Sequence, residues 1–183
     1  MGAQAPNWFK ILKFYLPTED EGNTIMLRKE TGLDNTLKKE IIRKEEDIKE
    51  IIVNNLKPYN HTFFVSIVKK ENEEDKGKFI GEIILENDMN DARNIFINYW
   101  VKRAYRNEGY STSATKLICK IFKNAYDSKI SEVESIKAFV TSNNYSIKVL
   151  EKNNFKEVAD QLTPYGRVYI LDLKQPYQID KEK

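Results

Sequence analysis

The chain has 183 residues, 40% hydrophobic and 32% charged, which is enough apolar material for one globular domain with a substantial core. A formal net charge of only +2, with acidic and basic residues interspersed, argues against a nucleic-acid or anionic-membrane surface, and a single cysteine excludes an internal disulfide. No apolar run approaches membrane-spanning length and no cleavable hydrophobic segment stands at the start, so a soluble, cytoplasmic protein is expected.

In chain order, an apolar stretch from Trp8 to Leu16 is expected to pack on the body of the domain, as a strand or an added helix. Thr24 to Lys29 reads as a first core strand, followed by Asp34 placed to cap a helix whose stripe is Leu37, Ile41, Ile48, Ile51 and Ile52. The charged run Lys44 to Asp47 is a solvated face that interrupts that stripe. The lone histidine, His61, borders the next strand with no second His or Cys beside it, so a structural role and no metal site are expected.

Thr62 to Val68 and Phe79 to Leu85 form a hairpin across a charged turn. The next strand alternates Ile95, Ile97, Tyr99 and Val101 on one face with Phe96, Asn98 and Trp100 on the other. From Tyr110 the period changes to that of a helix, with Ala114, Leu117, Ile118, Ile121, Phe122 and Ala125 in one stripe and Cys119 as a packed thiol. A strand from Val133 to Thr141, a short helix from Asn144 to Asn153 and a last hairpin, Lys156 to Gln161 with Arg167 to Leu173, complete an α+β arrangement. The strand ending at Val101 and the Val133 strand are joined by a helix, so they should run parallel.

The candidate site lies between that central strand and the helix. Arg106-Asn107-Glu108-Gly109-Tyr110-Ser111 turns the chain and leaves the first helical N–H groups without intrahelical partners, which suits phosphate oxygens. The stretch Tyr-Trp-Val-x-x-x-Tyr-Arg-x-x-Gly-Tyr-Ser-Thr-x-Ala resembles the coenzyme-A motif of the GNAT superfamily of N-acetyltransferases, Arg/Gln-x-x-Gly-x-Gly/Ala, with Arg106, Gly109 and Ser111 at its three positions. A second stretch resembles the family's Asn-x-x-Ala/Ser-x-x-x-Leu/Tyr-Glu-Lys-x-Gly-Phe signature through Asn143, Ser146, Leu150, Glu151, Lys152 and Phe155. The wording looks most like the branch of ribosomal-protein N-terminal and spermidine acetyltransferases.

The resemblance implies a mixed, mostly antiparallel sheet with a splayed parallel pair and flanking helices. It implies an acetyltransferase domain over residues 24–174, with an N-terminal extension over 1–23 and a tail over 175–183. Acetyl-coenzyme A would be the cosubstrate, with no metal. Trp100, Val101 and Lys102 would offer backbone groups to the pantetheine, Asn107, Glu108, Gly109, Tyr110, Ser111 and Thr112 would hold the pyrophosphate with Arg106, and Asn143 and Ser146 would flank the arm. An amine acceptor would attack directly, and a homodimer through the N-terminal segment is a candidate assembly.

Departures from the family pattern are Arg103 for a proline, Asn107 and Asn154 for glycines, Ser111 for the third loop glycine or alanine, and Ser113 for a glutamate. Asn tolerates the left-handed conformation, so both turns should survive. Leu150 stands where many members carry an acid tyrosine, which leaves Ser146, as the nearest polar group, or a bound water to protonate the thiolate. Glu82, Tyr99 and Asp88 are candidate bases, and Glu82, Asp88 and Asp91 could together face a polyamine. Three classes stay open: an N-acetyltransferase, a non-catalytic acyl-coenzyme-A-binding sensor or scaffold, and a nucleic-acid module.

Overall fold

Period-two runs of β-branched and aromatic residues build most of the sheet. The computed structural model describes residues 7–20, 25–44, 62–72, 74–141, 144–164 and 166–177. Its strands are β1 (Thr18–Glu19), β2 (Ile25–Lys29), β3 (Thr62–Lys69), β4 (Lys78–Asn87), β5 (Asn94–Val101), β6 (Ser135–Val140), β7 (Lys156–Thr163) and β8 (Gly166–Asp172). The helices are α1 (Asn7–Tyr15), α2 (Gly32–Lys44), α3 (Tyr110–Asp127) and α4 (Asn144–Lys152). Thr24, residues 45–61 with the second half of the expected helical stripe and His61, and Asn143 lie outside the described residues.

The strands join in one eight-stranded sheet in the order β1-β2-β3-β4-β5-β6-β8-β7. Every described pairing is antiparallel except β5 with β6, which α3 connects as a crossover. Gly81 lets β4 and β5 approach closely, since a Cβ there would collide with the Trp100 carbonyl oxygen. The last hairpin enters with its second strand inward, so β8 and not β7 borders β6.

The stretch from Trp8 is a helix, and its Trp8, Ile11 and Leu12 are buried in the same core as the α3 stripe. Trp8 meets Phe122 edge-on with ring centroids 6.0 Å apart. On β5, Ile95, Ile97 and Val101 belong to that core under α3, whereas Trp100 shares the opposite face with α2. Asp34 does not cap α2 as the preceding residue. It is the third residue of the helix, and its carboxylate accepts the Thr31 N–H at 3.0 Å while its own N–H donates to Thr31 Oγ1 at 3.3 Å. Thr31 is therefore the cap, in a reciprocal box that satisfies two N-terminal donors.

Candidate functional site

The site begins where a ladder stops. β5 and β6 pair at Asn94 with Ser135, Ile95 with Ile136 and Phe96 with Lys137, and no further. Beyond Phe96, β5 stays with β4 as far as Val101, and beyond Lys137, β6 stays with β8 as far as Val140. The two strands thus part into a seam. The bonds from Lys102 N–H to the Ile80 carbonyl (2.7 Å) and from Asp88 N–H to the Asn94 carbonyl (3.2 Å) fix which groups of β5 serve β4. By the alternation of an antiparallel ladder those are the groups of the even-numbered residues, Trp100 and Lys102 included. The N–H and C=O groups of Ile97, Tyr99 and Val101 point into the seam.

At the end of β5 the chain makes a 3-10 turn over Arg103–Tyr105 and reaches α3 through two left-handed residues, Asn107 at φ 67° and Gly109 at φ 84°. Asn107 holds the conformation that a glycine would otherwise supply, as Asn154 does at φ 64° after α4. Gly109 occupies the N-cap of α3 and no side chain caps the helix there. The first helical bond runs from Ser113 N–H to the Gly109 carbonyl at 3.0 Å, so the amides of Tyr110, Ser111 and Thr112 precede the intrahelical ladder. A Cβ added at Gly109 would meet no protein atom within 4 Å, so open space adjoins the cap. Free N–H groups, the positive end of an 18-residue helix dipole and open space together make an anion cradle.

Cations surround that cradle. Arg106 Nε donates to the Val101 carbonyl at 3.1 Å and ties the loop to the seam. Lys69 and Lys78, from the facing ends of β3 and β4, place their ammonium groups 5.7 Å from the ring centroids of Tyr110 and Tyr105 respectively. Neither lysine is near the motif in sequence. Only the strand register brings them to it.

Across the seam, on the α3 side, the Tyr99 hydroxyl donates to the Ser146 backbone carbonyl at 3.1 Å, so these two predicted residues are brought together. Burial pushes the Tyr99 phenol above its ordinary value, against the opposing effect of the Ser146 side chain, so it holds its proton at neutral pH. Leu150 is fully buried beneath α4. Cys119 is buried in α3, and burial pushes its thiol up, which makes it inert.

Glu82 stands apart from Tyr99 and Ser146, on the α2 face. Strand register aligns Arg28, Ser66, Glu82 and Trp100 across four strands. Glu82 is fully buried and accepts from Lys38 Nζ at 2.8 Å and from Trp100 Nε1 at 3.2 Å. Burial raises its carboxyl even against the Lys38 charge. Beside it, burial and then the Glu82 charge push Glu30 up to about 7. Burial works against the charged form of Asp34, yet hydrogen bonds from Arg28, Ser66 and the Thr31 N–H hold its carboxyl below the usual range. Asp88 is bonded to Lys137 at 3.1 Å and Asp91 to Arg93 at 2.9 Å. Glu86, which sequence patterning did not single out, is the cross-strand partner of Phe96 on this same face. The alternation of β4 could have found it, because Glu82 and Glu86 are four residues apart and share a face.

Among the described residues no group of three His, Cys, Asp or Glu side chains could hold a metal ion, and no helix is long and apolar enough to cross a membrane. A cavity of about 670 Å³ opens toward the other end of α3, bordered by Lys123, Glu157, Ile170 and Tyr177, and none of the seam or loop residues line it.

Several solved structures share this fold. RimJ of Mycobacterium smegmatis, in complex with CoA-disulfide, superposes with a TM-score of 0.62 at 16% identity over 82% of each chain. The ribosomal-protein-S5-alanine acetyltransferase of Vibrio fischeri gives 0.61 at 16% identity, over 89% of this chain and 99% of that one. The aminoglycoside acetyltransferase AAC(6')-Ib, in complex with coenzyme A, gives 0.63 at 16% identity, over 81% and 94%. No curated protein matches the chain in sequence. The family model of the acetyltransferase (GNAT) domain matches residues 30–156, which span α2, the seam, the loop and α4, and the chain therefore belongs to the GNAT acetyltransferase family.

Proposed function

We propose that the chain transfers an acetyl group from acetyl-coenzyme A to a primary amine by direct attack. The observation that carries this reading is the continuity of the seam with the uncapped N-terminus of α3, joined through Arg106 and the Val101 carbonyl. It supports the binding of one ligand that has an anionic end and an extended, amide-bearing arm. The amides from Asn107 to Thr112 would take the pyrophosphate, with Lys69 and Lys78 as added positive charge. The backbone groups of Ile97, Tyr99 and Val101 would take the arm, in a role that the motif alone suggests for Trp100, Val101 and Lys102. Family likeness gives Asn143 and Ser146 the other side of the arm. When bound, acetyl-coenzyme A supplies a thioester whose carbonyl is already activated toward an amine.

The chain's own part is to position, to exclude water and to manage protons. Tyr99 keeps its proton at neutral pH, so its place in the reaction is that of a proton donor to the departing thiolate and not that of the base. Glu82 is bound to Lys38 and Trp100, so its nearer role is to fix the end of β5 beside the seam. By the same reading residues 24–174 are the catalytic domain, flanked by the 1–23 and 175–183 segments. A second reading, a non-catalytic acyl-coenzyme-A-binding scaffold, draws on the buried Leu150 at the family's tyrosine position. Isothermal titration with acetyl-coenzyme A, followed by thiol release against a panel of amines, tests both. Binding with thiol release is expected, binding without release from any amine would favour the scaffold, and no binding at millimolar ligand would overturn the proposal.

A further inference from the structure

On the face of the sheet away from α3, the mouth of the seam is bordered by aromatic side chains. Phe96, at the last paired position of β5, stacks on Phe139, two residues past the last paired position of β6, with centroids 4.9 Å apart and rings 22° from parallel. Phe139 is 36% exposed. The charges of the neighbourhood are compensated within the chain: Lys137 with Asp88, Lys38 with Glu82, and Arg93 with Asp91. Glu86 differs. It faces Phe96 across the β4–β5 ladder, it is half-buried, and its carboxylate has no ion pair or hydrogen bond among the described residues. Burial raises its carboxyl, and no neighbouring cation offsets that.

Among the described residues the seam is covered on its α3 side. On the α3 side the Tyr99 hydroxyl bridges to Ser146, and Ile97, Ala138 and Val140 are buried. A group held between β5 and β6 is therefore approached over Phe96, Phe139 and Glu86. A polyamine needs carboxylates at intervals, and the three that the sequence offered are each bonded to a cation of this chain.

We propose, resting on the acetyl-transfer reading above, that the acceptor is a primary amine carried on an aromatic or bulky apolar group, with Phe96 and Phe139 seating that group and Glu86 receiving the ammonium. The ammonium gives one proton to Glu86, directly or through one water, and the freed nitrogen pair forms the C–N bond. The C–S bonding pair leaves with the sulfur, and a second nitrogen proton is lost to solvent as the thiolate is protonated. The apolar seat removes the substituent from water, and a half-buried carboxylate attracts the ammonium more strongly than an exposed one would.

Thiol release at saturating acetyl-coenzyme A with phenethylamine, a peptide amide beginning with phenylalanine, propylamine and spermidine tests the assignment. The aromatic amines should exceed spermidine in kcat/KM by about tenfold or more, the scale of an apolar pocket's discrimination. Phe139→Ala should lower kcat/KM for phenethylamine about tenfold through acceptor KM, narrow its advantage over propylamine, and leave the KM for acetyl-coenzyme A unchanged. Phe139→Leu, which keeps apolar bulk, should fall between. Glu86→Gln should cost about tenfold or more in kcat/KM for every amine, without changing coenzyme-A affinity. Spermidine as the best substrate, or unchanged acceptor kinetics in both variants, would overturn the acceptor assignment while leaving acetyl transfer in place. Failure to bind coenzyme A, or binding without turnover of any amine, would instead overturn the acetyl-transfer reading on which it rests.

Discussion

The two edges of β5 solve opposite problems with the same few residues. Toward β4 and α2, strand register gathers Arg28, Ser66, Glu82 and Trp100 into a row, and Lys38 and Asp34 descend from α2 to pair with it. Charge is abundant there and almost entirely compensated. Toward β6 the backbone ladder ends after Phe96, and the polar groups of Ile97, Tyr99 and Val101 face a seam. The difference teaches that a binding site is where pairing is withheld. Charge alone does not mark one, and Glu82, the most conspicuous carboxylate of β4, belongs to the framework. The row beneath α2 and the seam share Trp100 and the end of β5, so the framework can hold the site without touching a ligand.

The largest break in this comparison is expected from Lys38→Met, because Lys38 is only 2% exposed and its loss strands the buried Glu82 charge. Unfolding free energy in urea should drop by about 3 to 5 kcal/mol, and the double variant with Glu82→Leu should recover most of that. Equal losses in the single and double variants would show that the pair is not coupled.

Asp34→Ala comes next, since that carboxylate serves Arg28, Ser66 and the Thr31 N–H together. A loss of about 2 kcal/mol is expected, with coenzyme-A affinity of the folded protein retained. Affinity falling in step with stability would contradict the separation of framework from seam.

Gly109→Val sharpens the other side. No protein atom lies within 4 Å of the added Cβ, so the folding cost is the strain of φ 84°, about 1 kcal/mol or more. Coenzyme-A affinity should fall about tenfold, equivalent to roughly 1.4 kcal/mol, while pantetheine, which lacks the pyrophosphate, is bound as before. Equal loss for both ligands would mean general distortion of the loop.

The smallest effect concerns Glu30, whose carboxyl is pushed up to about 7 by burial and the Glu82 charge. A raised folded-state value means that its contribution to stability is present below the unfolded value of about 4.5 and is lost as pH rises through 7. Glu30→Gln should therefore raise Tm relative to the parent at pH 8 and change it little or lower it at pH 5. A Tm difference that does not vary with pH would remove Glu30 from the network.

Much of this architecture was legible in the sequence because period carries burial. The α3 stripe from Ala114 to Ala125 is buried as its spacing requires, the faces of β5 are those of its alternation, and Asn107 and Asn154 take the left-handed conformation expected of them. The helical nature of α1 was not legible, since a nine-residue apolar stretch has no intrinsic preference strong enough to choose until Trp8, Ile11 and Leu12 meet α3. Asp34 was misread as a cap because Thr31, three residues earlier, offers the same chemistry, and only the hydrogen bonds distinguish donor from box partner. The pairing of Glu82 with Lys38 spans 44 residues, and no local pattern encodes it. Lys69 and Lys78 reach the loop through a hairpin register, and alternation puts Glu86 on the face of Glu82 without showing that the charges around it are paired.

The central claim is that the seam and the cradle are one site, and amide hydrogen exchange read residue by residue with and without acetyl-coenzyme A tests it most directly. Protection should rise together at Tyr99 and Val101 on β5 and at Tyr110, Ser111 and Thr112 at the start of α3, while Glu82 and Trp100, already bonded across β4 and β5, should change little. Binding that protects instead the residues of the cavity between β7, β8 and Tyr177, or that protects α3 without β5, would contradict it.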